Sequence, residues 1–150
     1  MTDLEAALLR ATTVGTMLDE PQLCYLYALA TMAPNGIAVE CGVYKGGSLA
    51  VWSAAREGRG DVYAVDRWEG NWSKSLPCFE DIVARFALPV TILRIDAFEA
   101  PAAIGLPIAF CFIDADHISG IKQDMTVWPD AIMPGGILAL HDYDTPKPTV

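Results

Sequence analysis

Acidic and histidine side chains recur in this chain directly at or after short apolar segments, where they could bind a cation or move a proton. Glu40 lies in the first segment, and Asp66 and Asp96 follow the next two. The last two segments lead into the runs 114–117 (Asp-Ala-Asp-His) and 141–144 (His-Asp-Tyr-Asp). If the segments are parallel strands, these groups gather at one sheet edge. Because crowded carboxylates destabilise a fold unless a cation or hydrogen-bond donors offset them, the pattern predicts a functional site.

Each acidic residue also has a purely structural interpretation when taken alone. Asp116 or Ser119 could cap the helix that follows, and Asp144 could begin a turn before Pro146. The functional interpretation therefore depends on the whole set lying together.

The stretch 37–48, Ile-Ala-Val-Glu-Cys-Gly-Val-Tyr-Lys-Gly-Gly-Ser, predicts a strand, a glycine-containing turn and the start of a helix. The first-turn amides of such a helix point at whatever lies above the sheet. Glycines at 42 and 46 would let a ligand approach the backbone. The alternative is a tight turn without a ligand. Tyr44 stands where a dinucleotide-binding loop has its second glycine, and its ring disfavours a pyrophosphate.

Two carboxylates indicate which ligand this loop would accept. Glu40 would repel a phosphate but attract the ammonium group of an amino-acid moiety. Asp66 ends the next strand, where ribose hydroxyls need an acceptor. The residues therefore favour a nucleoside that carries an amino acid over NAD.

Alternating helices and strands predict an α/β, doubly wound, Rossmann-like fold with a mainly parallel sheet. Several strands are continuously apolar, as expected where helices cover both faces. The 150 residues fit one domain, with N-terminal helices within 2–33 before the core. The predicted helices are 2–11, 21–32, 47–57, 78–87, 98–104 and 118–131, and the predicted strands are 37–41, 61–66, 90–95, 108–114 and 136–142.

Composition excludes several classes of partner. The net charge of −9, without any Lys/Arg cluster, argues against nucleic acid. No apolar run reaches the roughly 18 residues of a membrane span. The acidic start, Met-Thr-Asp-Leu-Glu, lacks the basic segment of a secretory signal, so we expect a cytoplasmic protein.

The four cysteines form no C-x-x-C pair, and we expect them to be reduced, buried thiols; they are Cys24, Cys41, Cys78 and Cys111.

Two sets of motifs carry a family resemblance. The first set consists of Glu-x-Gly-x-x-x-Gly at 40–46 together with Asp66. The second set consists of Ile-Asp-Ala-Asp-His at 113–117, Pro-Gly-Gly at 134–136 and His-Asp-Tyr at 141–143. From Gly15 through Asp144 the chain resembles class I S-adenosylmethionine-dependent methyltransferases, in particular a bacterial, family 24-like branch. The resemblance implies the strand order 3-2-1-4-5, with the last two of the usual seven strands missing. Either the chain is a fragment, or another subunit or the N-terminal helices cover the sheet edge.

The resemblance also implies an activity, the methylation of a small molecule, with O-methylation favoured. S-adenosylmethionine would be the cofactor, and Mg²⁺ a possible second one, held by Asp114 and Asp142. The acceptor would be a small molecule rather than nucleic acid or membrane, and the exposed sheet edge could support a homo-oligomer. The predicted cofactor-binding residues are Glu40, Gly42, Val43, Tyr44, Gly46, Ser48, Asp66, Arg67, Asp96, Ala97 and Asp114.

Asp114, His117 and His141 are the predicted catalytic residues, because imidazole can accept a proton near neutral pH. Either histidine could instead bond a neighbouring carboxylate and orient a loop. Trp68 and Trp72 could stack on adenine or close over substrate, or simply pack.

Three other functions are alternatives. A binding module could keep the cofactor pocket without turnover, or the acidic cluster could hold a metal for hydrolysis or hydroxylation. The third, an oxidoreductase that uses NAD, is disfavoured by Tyr44 and Glu40.

Overall fold

A five-stranded parallel sheet organises the fold in the computed structural model, which describes residues 1–115 and 120–142. The order is β3-β2-β1-β4-β5, and each neighbouring pair is parallel. This confirms the predicted α/β class and strand order. The strands are β1 (Ile37–Cys41), β2 (Val62–Val65), β3 (Val90–Leu93), β4 (Ile108–Ile113) and β5 (Ile132–Leu140).

Helices flank the sheet, and the first two begin at side chains that cap them. Thr2 and Glu5 form a capping box, and Asp19 and Gln22 form another. The helices are α1 (Asp3–Val14), α2 (Glu20–Met32), α3 (Gly47–Trp52), α4 (Ser75–Phe86), α5 (Ala100–Ile104), α6 (Gly120–Asp124) and α7 (Trp128–Ala131). Short 3₁₀ turns cover Ser53–Arg56, Gly70–Trp72 and Ala97–Glu99.

Several predicted boundaries were wrong. The helix predicted over 118–131 is divided into α6 and α7, and Pro129 lies in the first turn of α7. Proline lacks a backbone N–H, so it fits a new helix start better than the interior of one long helix. The predicted helix over 47–57 tightens to a 3₁₀ turn after Trp52, and β5 begins at Ile132 rather than 136.

The core has one cluster on each face of the sheet. Every residue of β4 is buried, with Phe110 and Phe112 in the cluster beneath α1 to α4 and Cys111 and Ile113 in the other. This alternation confirms that the apolar strands are covered on both faces. All four cysteines are free, as predicted. Cys41 and Cys111 are buried, but Cys24 is half-buried and Cys78 is exposed on the outer side of α4.

Within the described residues, β5 ends the sheet, and no helix there is long and apolar enough to cross a membrane.

Two arginines join the end of α2 to the start of β1. Arg56 is almost fully buried, and its guanidinium donates to the carbonyls of Ala33 (3.1 Å), Pro34 (2.8 Å) and Gly36 (2.9 Å). Arg59 donates to Asn35 Oδ1 at 2.9 Å. These bonds satisfy carbonyls that a helix end leaves without partners, and they fix the direction in which the chain enters β1.

The buried guanidinium provides a stability test. Replacing Arg56 with Met should lower the free energy of unfolding by about 3 kcal/mol, because several buried carbonyls lose a charged donor. Urea denaturation measures the loss. Arg94→Met, at an exposed position, should change stability by less than about 0.5 kcal/mol. Equal losses in the two variants would contradict a clamping role for Arg56.

Candidate active site

A cavity of about 650 Å³ opens at the carboxyl ends of the strands. It brings together Asp66, Asp96 and Asp114, which the sequence places after β2, β3 and β4. The lining residues are Gly15, Thr16, Met17, Leu18, Gly42, Tyr44, Gly47, Ser48, Val65, Asp66, Arg67, Glu69, Trp72, Ile95, Asp96, Ala97, Asp114, Ala115, Gln123 and Asp124.

Close backbone approaches shape the floor of this cavity. Gly42 has φ of 86°, and a Cβ at this position would overlap the carbonyl of Asp114, so the ends of β1 and β4 can meet only at glycine. A Cβ on Gly47 would lie 2.6 Å from Thr16 Cβ. The 15–19 connector between α1 and α2 therefore packs directly on the start of α3 and becomes a cavity wall.

Asp66 joins the loop after β1 to the loop after β2. Its Oδ2 accepts from Tyr44 N at 3.0 Å, and its Oδ1 accepts from Trp68 N at 2.7 Å. These bonds hold Tyr44 in the left-handed region, at φ of 54°, which side chains rarely adopt. A carboxylate has about four acceptor positions, so Asp66 can still accept from hydroxyls of a ligand.

The two tryptophans of the loop after β2 have different surroundings. Trp68 is buried, stacks on Phe79 with ring centroids 5.6 Å apart and donates to Tyr44 O at 3.0 Å. Trp72 is 54% exposed, lines the cavity and meets the Tyr44 ring edge-on at 5.3 Å. Trp68 is therefore a packing residue, and Trp72 offers an aromatic surface to a ligand.

Glu40 lies beneath the loop. Its carboxyl group accepts from Ser48 Oγ at 2.6 Å and from Trp52 Nε1, and its side chain is completely buried. Burial raises the pKa of Glu40 to about 8, against the lowering effect of these two bonds.

Our prediction that Glu40, Val43 and Gly46 contact a cofactor does not match the cavity, which none of the three lines. Side chains alternate along β1, and Ala38 and Glu40 face α3 rather than the opening. Val43 is buried in the core, and Gly46 abuts the ring of Phe79. Ser48 is the group that both contacts Glu40 and reaches the cavity.

At the rim, Arg67 and Asp96 form an ion pair at 3.6 Å between half-exposed groups. Asp96 also accepts from Phe98 N at 3.2 Å and caps the 3₁₀ turn Ala97–Glu99. Asp96 and Ala97 lie together on the cavity wall, where the sequence predicted contact with an adenine base. The cap explains the orientation of the Asp96 side chain.

A second polar cluster lies where β4 and β5 end. His141 Nδ1 lies 3.0 Å from Asp114 Oδ1 and 3.3 Å from Asp142 Oδ2. On the other side of the ring, His141 Nε2 lies 3.3 Å from Gln22 Nε2 on α2. The structure therefore brings the predicted residues Asp114 and His141 together. The predicted base His117 lies outside the described residues.

The described side chains do not fit the predicted magnesium site. Across residues 1–115 and 120–142, no group of three or more His, Cys, Asp or Glu side chains is arranged to hold a metal ion. Asp114 and Asp142 instead share His141 Nδ1. We therefore assign no step to a metal.

Several wall residues were not predicted from the sequence. Thr16 and Leu18 belong to the connector between α1 and α2, where Gly15 was the only local signal of a break. Asp124 is 2% exposed and lies at the end of α6, inside the stretch predicted as one long helix. No spacing in the sequence connects it with the strand ends.

The raised pKa of Glu40 predicts a pH dependence of stability. The folded state holds its proton up to about pH 8, whereas the unfolded state releases it near 4.5, so folding becomes less favourable as pH rises through this window. Glu40→Gln should remove this slope. The difference in free energy of unfolding between the variant and the natural chain should therefore shift in favour of the variant by on the order of 4 kcal/mol from pH 5 to pH 8. Denaturation at both pH values tests it, with the exposed Glu57→Gln as control. Parallel pH profiles for all three proteins would contradict the assignment.

Comparisons with known proteins agree with this architecture. The profile of a family described as "Methyltransferase domain" matches residues 39–143. Similar solved structures include an S-adenosylhomocysteine-bound methyltransferase from Podospora anserina (15% identity, TM-score 0.69, 93% of this chain and 62% of that one). A second is a putative caffeoyl-CoA O-methyltransferase from Staphylococcus aureus (15% identity, TM-score 0.69, 93% of this chain and 66% of that one). A third is a precorrin 8w decarboxylase from Methanobacterium thermoautotrophicum (24% identity, TM-score 0.66, 86% of this chain and 66% of that one).

This chain thus spans between 62% and 66% of the length of these three proteins, and the likeness at such identities is one of fold. The family match covers most of the chain, from the third residue of β1 through β5, and includes the strand ends that form the cavity. The chain therefore belongs to the methyltransferase domain family and has the Rossmann-like fold of class I S-adenosylmethionine-dependent methyltransferases.

Proposed function

We propose that the protein binds S-adenosylmethionine in the 650 Å³ cavity and transfers its methyl group to a hydroxyl group of a small molecule. The observation that carries this proposal is the acidic cavity at the strand ends of a chain that belongs to the methyltransferase domain family. A structural neighbour of this chain was solved with S-adenosylhomocysteine bound, which supports the same cofactor here.

The wall residues suit the separate parts of S-adenosylmethionine. Asp66 would accept from the ribose hydroxyls, and Asp96 and Ala97 would border the adenine. Ser48 and the backbone at Gly42 would lie along the methionine portion. Trp72 would cover the adenine or the acceptor from the open side, because it is the exposed aromatic group of the wall.

The charge of the cavity favours a cationic ligand. Five carboxylates line it, and Arg67 is the one Lys or Arg among the described lining residues; the carboxylates belong to Asp66, Glu69, Asp96, Asp114 and Asp124. The sulfonium and ammonium groups of S-adenosylmethionine would offset their repulsion. The same field, with the chain's net charge of −9, opposes a polyanionic acceptor such as RNA and supports a small molecule.

Methyl transfer is an in-line displacement, so positioning supplies much of the rate. The acceptor oxygen forms the new bond to the methyl carbon, the carbon–sulfur bond breaks, and its electrons stay on the sulfur of S-adenosylhomocysteine. His141 would take the hydroxyl proton. Asp114 Oδ1 lies 3.0 Å from Nδ1, and the tautomer that carries its hydrogen on Nδ1 would leave Nε2 as the basic atom, where the Gln22 amide lies until an acceptor hydroxyl replaces it.

Calorimetric titration with S-adenosylhomocysteine tests the cofactor. The natural chain should bind it and should not bind NADH measurably. Asp66→Asn should weaken binding about tenfold, because the amide replaces a charged acceptor for the ribose. Asp61→Asn, at an exposed position before β2, is the control and should bind normally. If NADH binds instead, or if S-adenosylhomocysteine does not bind at all, the proposed cofactor is wrong.

His141→Gln tests the base. Transfer of labelled methyl from S-adenosylmethionine to a panel of hydroxylated aromatic compounds should fall about 100-fold, while affinity for S-adenosylhomocysteine stays unchanged. His117→Gln is the matched comparison. A large loss in His117→Gln with little effect in His141→Gln would reverse the assignment.

A further inference from the structure

A second cavity, of about 450 Å³, lies between α2 and the ends of β4 and β5. We call it the α2–β5 groove. The side chains of its walls are mainly apolar, and Gln22, His141 and Asp142 meet at one end. The apolar walls include Tyr25, Leu26, Leu29, Phe112, Ile137 and Leu140.

The groove adjoins the proposed cofactor cavity. Leu18 lines both spaces, so one side chain of the α1–α2 connector is their common wall. Asp114 lines the cofactor cavity and His141 lines the groove, and these two residues lie 3.0 Å apart. A molecule whose polar end reaches His141 is therefore one side chain away from the proposed cofactor cavity.

Charge and shape restrict what the groove can hold. No Lys or Arg lies among its described lining residues, and Asp142 stands at its polar end. An anionic group there would lose hydration without gaining a cationic partner. Apolar walls around a space of this size suit a compact ring system, since small-molecule pockets are mostly apolar with few polar groups.

We infer that the α2–β5 groove binds the methyl acceptor, a neutral and largely apolar compound whose hydroxyl group faces His141. This inference rests on the proposed function, because it gives the acceptor a place beside the cofactor. The acceptor loses its hydroxyl proton to His141 Nε2 and gains the methyl group that leaves the sulfonium. Tyr25, Leu29 and Leu18 then select acceptors by shape.

Methyl NMR of the protein saturated with S-adenosylhomocysteine tests the site directly. Titration with 2-naphthol should shift the methyl signals of Leu29, Ile137 and Leu140. The Ile82 signal, from a residue that lines neither cavity, should stay in place. The matched anion, 2-naphthyl phosphate, should bind at least about tenfold more weakly, because its charge finds no partner.

Two variants link the signals to the groove. Leu29→Trp should fill it and weaken 2-naphthol binding about tenfold or more. Tyr25→Ala removes a wall residue that is 67% exposed, so it should weaken binding with little effect on folding. Leu9→Trp, at an exposed position of α1 that lines neither cavity, is the control.

The outcomes separate the inference from the proposed function. If S-adenosylhomocysteine binds but neutral naphthol shifts no groove signal, or the phosphate binds equally well, the inference fails and the cofactor assignment stands. If groove signals move on dilution without any ligand, a second copy of the chain covers the groove, and the inference also fails. If S-adenosylhomocysteine does not bind, the proposed function itself fails.

Discussion

The buried carboxyl group of Glu40 is the interaction on which the site depends. It lies between β1 and α3 and receives bonds from Ser48 Oγ and Trp52 Nε1, so one side chain connects the strand, the cavity wall and the core of the helix. Burial opposes the charged form, and the raised pKa is the sign of that opposition. The turn from 42 to 46 is therefore fixed by two sets of bonds. Glu40 connects β1 to α3 on one side of the turn, and Asp66 accepts from Tyr44 N on the other.

Carboxylates from several strand ends form the other side of the cavity. Carboxylates converge there because parallel strands end at one edge, and convergence of like charge is unfavourable without an offsetting group. Asp66 accepts hydrogen bonds from two backbone N–H groups, and Asp96 accepts one from Phe98 N and pairs with Arg67. Asp114 lies 3.0 Å from His141 Nδ1. Each of these three carboxylates thus has a protein partner, yet the cavity they help to line still favours a cation.

The sequence was sufficient for the parts of the structure that depend on local patterns. Apolar strands covered on both faces predicted the parallel sheet, and the motif resemblance predicted its order. Asp66, Asp96 and Asp114 were placed in one cavity because strand ends coincide whatever the side chains are. Glu40 was predicted to contact a cofactor because its residue type indicates a charge, but the alternation of β1 turns its side chain toward α3.

Contacts that join distant segments could not be predicted. Nothing in the local sequence shows that Thr16 packs on Gly47, or that Gln22 reaches His141 across 119 positions. Asp124 was hidden in the stretch 118–131, which was predicted as one helix and is divided into α6 and α7 in the structure. These residues come together only through tertiary packing, which a single sequence does not record.

The N-terminal helices add a part of the site that the family match does not include. That match begins at residue 39, whereas Leu18, Gln22 and Leu29 precede it and line the groove or its junction with the cavity. The matched region supplies the strand ends that would hold the cofactor. In the proposed scheme, the α1–α2 connector and α2 supply the surface that faces the acceptor. Cofactor binding and acceptor choice would then reside in different segments of the chain, so the acceptor could change while the loop around Gly42 stays the same.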